Sequence, residues 1–468
     1  MEDIRTNQYD RYLSPLDVWA MALGCTIGWS AFLLPGSSFL PVAGPLGTLI
    51  SIAISIAIML IIGAGFSYLM RNRPGTGGMY AYTREAFGQR SSFLCAWFLS
   101  LAYVMILLMN ATSLFLVIRL ILGDALREGY ASFTIAGNEI YMGEIGASIT
   151  ALAVVGLLFI NAKPFLQRLQ TILAFVMLLC MVIVGVVCLP HMKTAISGGD
   201  VFGIRGASPV FAVFSIVMLA PRAFGGFEVI SLETVHFHFK VKWSRWIIIL
   251  SILISGLIYL CLTLVSVSAV PDGYASWQAY IADAGKLDGL ASMPAFYAAN
   301  AIMGQGGLIM MAIAALAAIL TGMIATYRAT LRVLSTMTED HILHERFANT
   351  TNSIIAIMVV SILVSILGAN LLNSFIELAS LGAGIGFGFT SASAWKIAKK
   401  NGNRAYARMG VTGTVLSATF VIVQLIPGLT AEEMMSSQAY LILLGWCVLG
   451  FLFHLFTTWR SRRYRKTA

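Results

Sequence analysis

The chain has 468 residues, 58% of them apolar and only 11% charged, with a formal net charge of +9 and a mean hydropathy of +0.84. A soluble domain carries about 25% charged residues, so this composition excludes a soluble enzyme, a nucleic-acid-binding protein and a disordered chain. What remains is a polytopic membrane protein, whose positive charge is read against membrane topology rather than as a polyanion-binding surface.

Apolar runs long enough to cross about 30 Å of hydrocarbon fall at 15–40, 46–70, 93–122, 143–161, 168–190, 209–235, 246–270, 304–335, 352–370, 374–398, 407–427 and 439–459. Lipid forces each span to close its own backbone hydrogen bonds, so these twelve runs are expected to be helices. An even number of spans puts both termini on one side. The segments on that side hold 24 of the 30 Lys and Arg residues, leaving Arg119, Arg127, Lys193, Arg205, Arg222 and Lys286 elsewhere. The positive-inside rule then makes the termini cytoplasmic. Residues 1–14 read as a polar N-terminal segment without a cleavable signal pattern, and 460–468 as a basic tail that anchors topology or touches anionic lipid. The six cysteines all lie within spans, which argues against a disulfide framework or a zinc site. His236 and His238 read as a polar flank at the end of the sixth span rather than as metal ligands, and no cofactor is expected. The outer loop 271–303, with Pro271, Gly273 and Pro294, is expected to carry a short amphipathic element.

Two spans are interrupted. The first reads Gly24-Cys25-Thr26-Ile27-Gly28-Trp29-Ser30-Ala31-Phe32-Leu33-Leu34-Pro35-Gly36, the sixth Pro221-Arg222-Ala223-Phe224-Gly225-Gly226-Phe227-Glu228. Glycine weakens a helix interior by about 1 kcal/mol relative to alanine. Paired glycines with small or polar neighbours can open a helix in mid-membrane and free backbone groups for a ligand. The segments lie five spans apart, so the second enters from the opposite side, the pattern of an inverted repeat whose broken helices meet at the midplane. Opened N-termini offer N–H groups to an anion and opened C-termini offer carbonyls to an amine, so a zwitterion suits both. Close helix packing is the competing explanation of these glycines, and it is the better one for the run Gly382 to Gly388 in the tenth span.

Four motifs make the chain resemble the amino acid–polyamine–organocation (APC) superfamily of permeases. They are Gly24 to Gly36 in span 1; Pro74-Gly75-Thr76-Gly77-Gly78-Met79-Tyr80 in the first loop; Ala223-Phe224-Gly225-Gly226-Phe227-Glu228 in span 6; and Arg332 to Leu343 after span 8, where His344 stands in place of the family's proline. The resemblance covers nearly the whole chain. It implies an all-α polytopic membrane protein of twelve transmembrane helices, with a five-plus-five inverted repeat of the leucine-transporter type (15–190 and 209–398) plus two extra helices (407–459). It also implies alternating access for a small amino acid or amine.

Departures from the family pattern shape the expected site. Trp29 and Ser30 replace small residues at the span 1 break, where the family holds a substrate carboxylate on backbone N–H groups. Trp29 then fills part of that pocket, forms a stacking wall, or faces lipid or core. Arg222 stands near mid-membrane where several relatives carry an aromatic gate, and a charge at that depth is functional by default. It either grips a substrate carboxylate bidentately or pairs with a buried carboxylate such as Glu228 or Glu377. Span 5 lacks the lysine of some relatives, with Met177 at the matching place, and span 8 has no adjacent Ser/Thr pair for sodium. Coupling therefore falls to Glu228, which also reads as a strut bracing the span 6 break. Asn110 faces substrate or bridges helices, and Phe224 caps the substrate. The expected substrate-binding set is Cys25, Thr26, Gly28, Trp29, Ser30, Asn110, Arg222, Phe224, Gly225 and Glu228. The expected function is secondary transport of a small amino acid or amino-acid-derived metabolite by exchange or proton coupling. The partners are that small molecule and the lipid bilayer, with no nucleic acid and with a homodimer left open. The location is a plasma membrane of the bacterial inner-membrane type. A substrate-binding sensor on the same scaffold and an amine or polyamine transporter are the alternatives. No nucleophile–base pair or paired carboxylates point to an enzyme.

Overall fold

The computed structural model describes residues 11–123, 125–135, 138–196, 208–366 and 371–467. Arg5, Arg205 and residues 367–370 of the ninth expected span lie outside them, as do the side chains of the basic tail. The elements run α1 (Pro15–Ile27), α2 (Ser30–Leu34), a π-turn (Pro35–Phe39), α3 (Leu40–Asn72), α4 (Gly78–Phe87) and α5 (Gln89–Leu122). A hairpin of β1 (Ser132–Ile135) and β2 (Asn138–Tyr141) precedes α6 (Met142–Asn161) and α7 (Lys163–Ile196). Then come α8 (Pro209–Met218), α9 (Ala220–Phe224), α10 (Ser244–Ser266), α11 (Trp277–Asp283), α12 (Pro294–Glu339), α13 (Thr350–Ser365), α14 (Leu372–Lys400), α15 (Arg404–Leu425) and α16 (Ser437–Thr467).

The architecture is that of an all-α polytopic membrane protein. Among the described residues, nine helical stretches are long and apolar enough to cross a bilayer, and three shorter apolar helices are Pro15–Ile27, Pro209–Met218 and Thr350–Ser365. The interior is built on α5, α12 and α14, whose apolar stretches are mostly buried, 78% in α5 and α14 against 11% in α16. Leu441, Leu444, Phe451 and Leu452 of α16 and Leu179, Val182 and Val186 of α7 point outward. Such a girdle is a liability in water and the expected surface in lipid.

Local chemistry sets the ends that matter. The hydroxyl of Ser14 accepts the Asp17 N–H at 3.3 Å, the carboxylate of Asp17 accepts the Ser14 N–H at 3.0 Å, and Pro15 opens the first turn. This capping box fixes where α1 starts. The α1 helix stops because Gly28 takes φ +45, a backbone that side chains avoid. Ser208 caps α8 by accepting the Phe211 N–H at 3.4 Å, again with Pro at the first helical position.

Two features differ from the sequence reading. The second half of the expected span 209–235 is a 3₁₀ segment, Phe227–Leu232, not an α-helix. It packs under α4, where a Cβ on Gly78 would lie 2.5 Å from the Ser231 hydroxyl and 3.0 Å from Leu232. The narrower 3₁₀ coil fits where a full α-helix finds little room. The β1–β2 hairpin in the loop before α6 was not expected, because hydropathy reads spans and leaves polar loops unresolved. In the loop 271–303, α11 joins a small apolar cluster of Trp277, Tyr280, Ile281 and Ala284 with Leu40 and Val267.

Candidate substrate site between two interrupted helices

The two interruptions meet backbone against backbone. Gly226 has φ +130, and a Cβ there would lie 2.5–2.6 Å from the carbonyl carbon and oxygen of Cys25 and the nitrogen of Thr26. Only glycine allows this crossing. Gly24 serves the same end against α12, since its Cβ would lie 2.6 Å from that of Thr321. The first helix breaks at Gly28-Trp29, between α1 and α2. The other breaks at Gly225-Gly226, where α9 ends and the 3₁₀ segment begins.

Side chains near the breaks partly satisfy the freed backbone. Glu228 is buried, and its Oε2 accepts the Gly226 N–H at 2.7 Å, so the carboxylate folds back onto its own break. Asn110 of α5 accepts the Trp29 N–H at 3.1 Å and donates to the Ile106 carbonyl at 2.9 Å. It is wedged between two glycines: a Cβ on Gly28 would lie 3.1 Å from its Oδ1, and one on Gly322 would lie 2.8 Å from its Nδ2. Thr26 and Ser30 donate backwards to the carbonyls of Ala22 and Ile27, and the Ser30 hydroxyl meets that of Tyr259 at 3.2 Å.

Between the breaks lies a cavity of about 20 Å³, close to the space of one water. Cys25, Thr26, Ser30, Arg222 and Gly225 line it from the broken helices, with Ile106 and Met109 from α5 and Ser380 and Ala383 among the α14 contributors. The expected set therefore divides. Five members share this cavity. Gly28, Trp29, Asn110 and Glu228 are not among its lining residues, and Phe224 is buried against Tyr259, ring centroids 6.1 Å apart. Trp29 does not face lipid. Its indole stacks on Phe32 at 6.3 Å and leans on Phe296 at 6.4 Å, forming an aromatic plug beside α2.

Arg222 donates from Nη2 to the Met434 carbonyl at 2.8 Å, while its Nε has no hydrogen-bond partner among the described residues. Among the described residues no ion pair joins it to Glu228 or Glu377; the Glu377 carboxylate instead accepts from the Ser436 N–H and hydroxyl. The Tyr103 hydroxyl and Trp29 Nε1 are likewise buried without partners among the described residues. Buried donors left unpaired are uncommon enough to call for an explanation. Sequence reading missed Tyr103, Tyr259 and Ser380. Tyr103 lies seven residues before Asn110, two helical turns along the same face, and that spacing was the available signal.

Below the breaks, the loop motifs knit one face of the molecule together. Arg332 forms a bidentate pair with Glu233, at 2.8 and 3.0 Å, and His236 Nδ1 lies 3.1 Å from the same carboxylate. The Tyr12 and Leu13 N–H groups donate to the His236 carbonyl. Thr234 exchanges hydrogen bonds with Gly75 at 2.7 and 2.9 Å. Tyr80 donates to Asp340, which also pairs with Arg84. Burial, and then the bond to Asp340, push Tyr80 above the usual tyrosine range, so it stays a donor.

Membrane-length helices packed around two interrupted ones, with a small cavity at their crossing, define a polytopic membrane transporter. The chain belongs to the amino acid permease family, whose model matches residues 13–459. That match places it in the APC superfamily. The methylthioribose transporter of Bacillus subtilis (strain 168) is 33% identical over 104 residues, a stretch that spans 22% of this chain and 22% of that protein.

Proposed function

We propose that the chain is a secondary active transporter of a small amino acid or amino-acid-derived metabolite, held between the breaks of its first and sixth spans. Twelve spans form two inverted repeats, 15–190 and 209–398, followed by 407–459, with both termini cytoplasmic in a plasma membrane. The observation that carries this reading is the backbone contact of Gly226 with Cys25 and Thr26 beside a cavity bordered by an incompletely bonded guanidinium. Arg222 Nε and the N–H groups freed near Gly28 suit a carboxylate. Carbonyls at the end of α1 suit the amine. A 20 Å³ cavity is smaller than an amino acid, so the broken helices part to admit one, and we assign the Trp29–Phe32–Phe296 cluster and the Glu233–Arg332 pair as the two closures. Alternating access then consists of releasing one of these closures at a time. Glu228 braces the break and carries the coupling proton if transport is proton-linked.

A second reading rests on the bacterial relative. A neutral thioether sugar of the methylthioribose kind would use the apolar wall of Ile106, Met109 and Ile376 rather than Arg222.

A ligand screen by thermal shift on the purified protein separates these, using amino acids, decarboxylated amines, dicarboxylates and methylthioribose. A true ligand at a hundredfold excess over its Kd adds about 2.7 kcal/mol to stability. Stabilisation by an amino acid, lost in Arg222→Gln, is the expected result, and uptake of that compound into proteoliposomes completes it. Stabilisation by methylthioribose alone, kept in Arg222→Gln, favours the second reading. In Glu228→Gln the amide oxygen still accepts the Gly226 N–H, so the fold survives while proton-linked uptake loses its pH dependence. A wild-type pH profile in that variant removes Glu228 from coupling.

A further inference from the structure

A second cavity, of about 730 Å³, opens beside the Glu233–Arg332 pair, bounded by the start of α1, the α6–α7 junction, α12 and the start of α13. Its volume is in the range of small-molecule sites. Among the described residues, four cations line it, Lys163, Arg168, Arg328 and Arg332, against two anions, Asp17 and Glu233. Both anions are already committed. Glu233 holds Arg332 with two hydrogen bonds, and Asp17 caps α1 and accepts from Thr171 at 2.9 Å.

Arg328 is the anomaly. It lies one helical turn before Arg332 on α12 and is only 8% exposed. Among the described residues it makes no hydrogen bond and no ion pair, and it feels Glu233 and Tyr12 only at longer range. Its side chain is mostly covered, but its guanidinium nitrogens stay accessible from the cavity, which leaves its five donors open to a ligand. Here the donors face a cavity whose exposed rim adds Lys163 and Arg168. Phe159 and Phe347 give the same cavity an apolar wall.

We propose that this cavity is a second binding site, separate from the one between the interrupted helices, for an anion presenting a carboxylate or phosphate group. Arg328 is its buried bidentate anchor. Lys163 and Arg168 draw the anion in and cover it from the rim. The phenyl wall receives whatever apolar part the anion carries. The site rests on unmatched charge near Arg328, and it does not depend on what the transporter carries.

The test uses the full-length protein in nanodiscs, with inorganic phosphate as probe against chloride at matched ionic strength. One arm has phosphatidylcholine alone, the other includes phosphatidylglycerol. Phosphate raising the unfolding midpoint in phosphatidylcholine identifies a free anion as ligand. A rise only with phosphatidylglycerol identifies a lipid headgroup in the same site. In either case Arg328→Gln weakens the effect at least about tenfold, the loss of one charge-assisted hydrogen bond. Arg168→Gln, at an exposed position where folding is not at issue, weakens it about two- to fivefold. Arg222→Gln leaves it intact, which separates this site from the cargo site. No midpoint change in either arm, or an unchanged response in Arg328→Gln and Arg168→Gln, overturns the proposal.

Discussion

Gly226→Ala tests the crossing on which the site depends. The new methyl would lie 2.5 Å from the Cys25 carbonyl carbon and 2.6 Å from the Cys25 oxygen and Thr26 nitrogen. These are backbone atoms, so they cannot swing aside as a side-chain tip would. Two costs add. Holding alanine at φ +130 costs about 1–3 kcal/mol, and overpacking a closed contact costs about 1–3 kcal/mol more. The protein relieves them by driving the broken helices apart, which dismantles the cavity lined by Cys25, Thr26, Ser30 and Gly225. Gly88→Ala is the control: Gly88 also has positive φ, +83, but nothing lies within 4 Å of its missing Cβ. It carries the backbone cost alone. The expected outcome is a midpoint for Gly226→Ala below that of Gly88→Ala by an amount worth about 1–3 kcal/mol. Stabilisation by added ligand and uptake are lost in the first variant and kept in the second. Equal midpoints, or wild-type uptake by Gly226→Ala, would refute the reasoning, because the contact would then be dispensable.

Two further outcomes follow from the side chains around the breaks. Asn110→Ala orphans the buried Trp29 N–H, which costs about 1–3 kcal/mol, and it loosens the first interruption so that ligand affinity falls with stability; unchanged melting and unchanged affinity would show that the bridge carries nothing. Glu233→Gln leaves Arg332 half-buried beside a neutral amide and costs about 3–5 kcal/mol, whereas Glu233→Met with Arg332→Met recovers most of that loss in a thermal melt. A double variant no better than the single one would mean that the pair acts by more than charge compensation.

The sequence by itself determined the class of the protein. Hydropathy is a local property, and an apolar run long enough for a bilayer has one stable form in lipid, so composition alone excluded a soluble chain and marked the helices. The interruptions were legible for the same reason: Gly28 and Gly225-Gly226 are local helix breakers. Membership of the permease family was legible in four motifs, of which two, around Tyr80 and Asp340, turn out to bond to each other. The tertiary structure decided which side chains share a cavity. Asn110 and Glu228 carry the polar groups expected of substrate ligands, yet both are spent on backbone N–H groups of the breaks. Arg222, whose expected partners were carboxylates, reaches a carbonyl at Met434, 212 residues away in sequence. Tyr259 and Ser380 enter the site region at positions that carry no distinguishing mark in the sequence. A polar residue in a span signals only that it avoids lipid. Which neighbour satisfies it depends on helix rotation and crossing, and these are set by packing across the whole bundle. Arg328 illustrates the limit most sharply. In the sequence it is one more positive charge on the topologically basic side, and only the fold leaves it mostly covered, facing a cavity and without a hydrogen bond among the described residues.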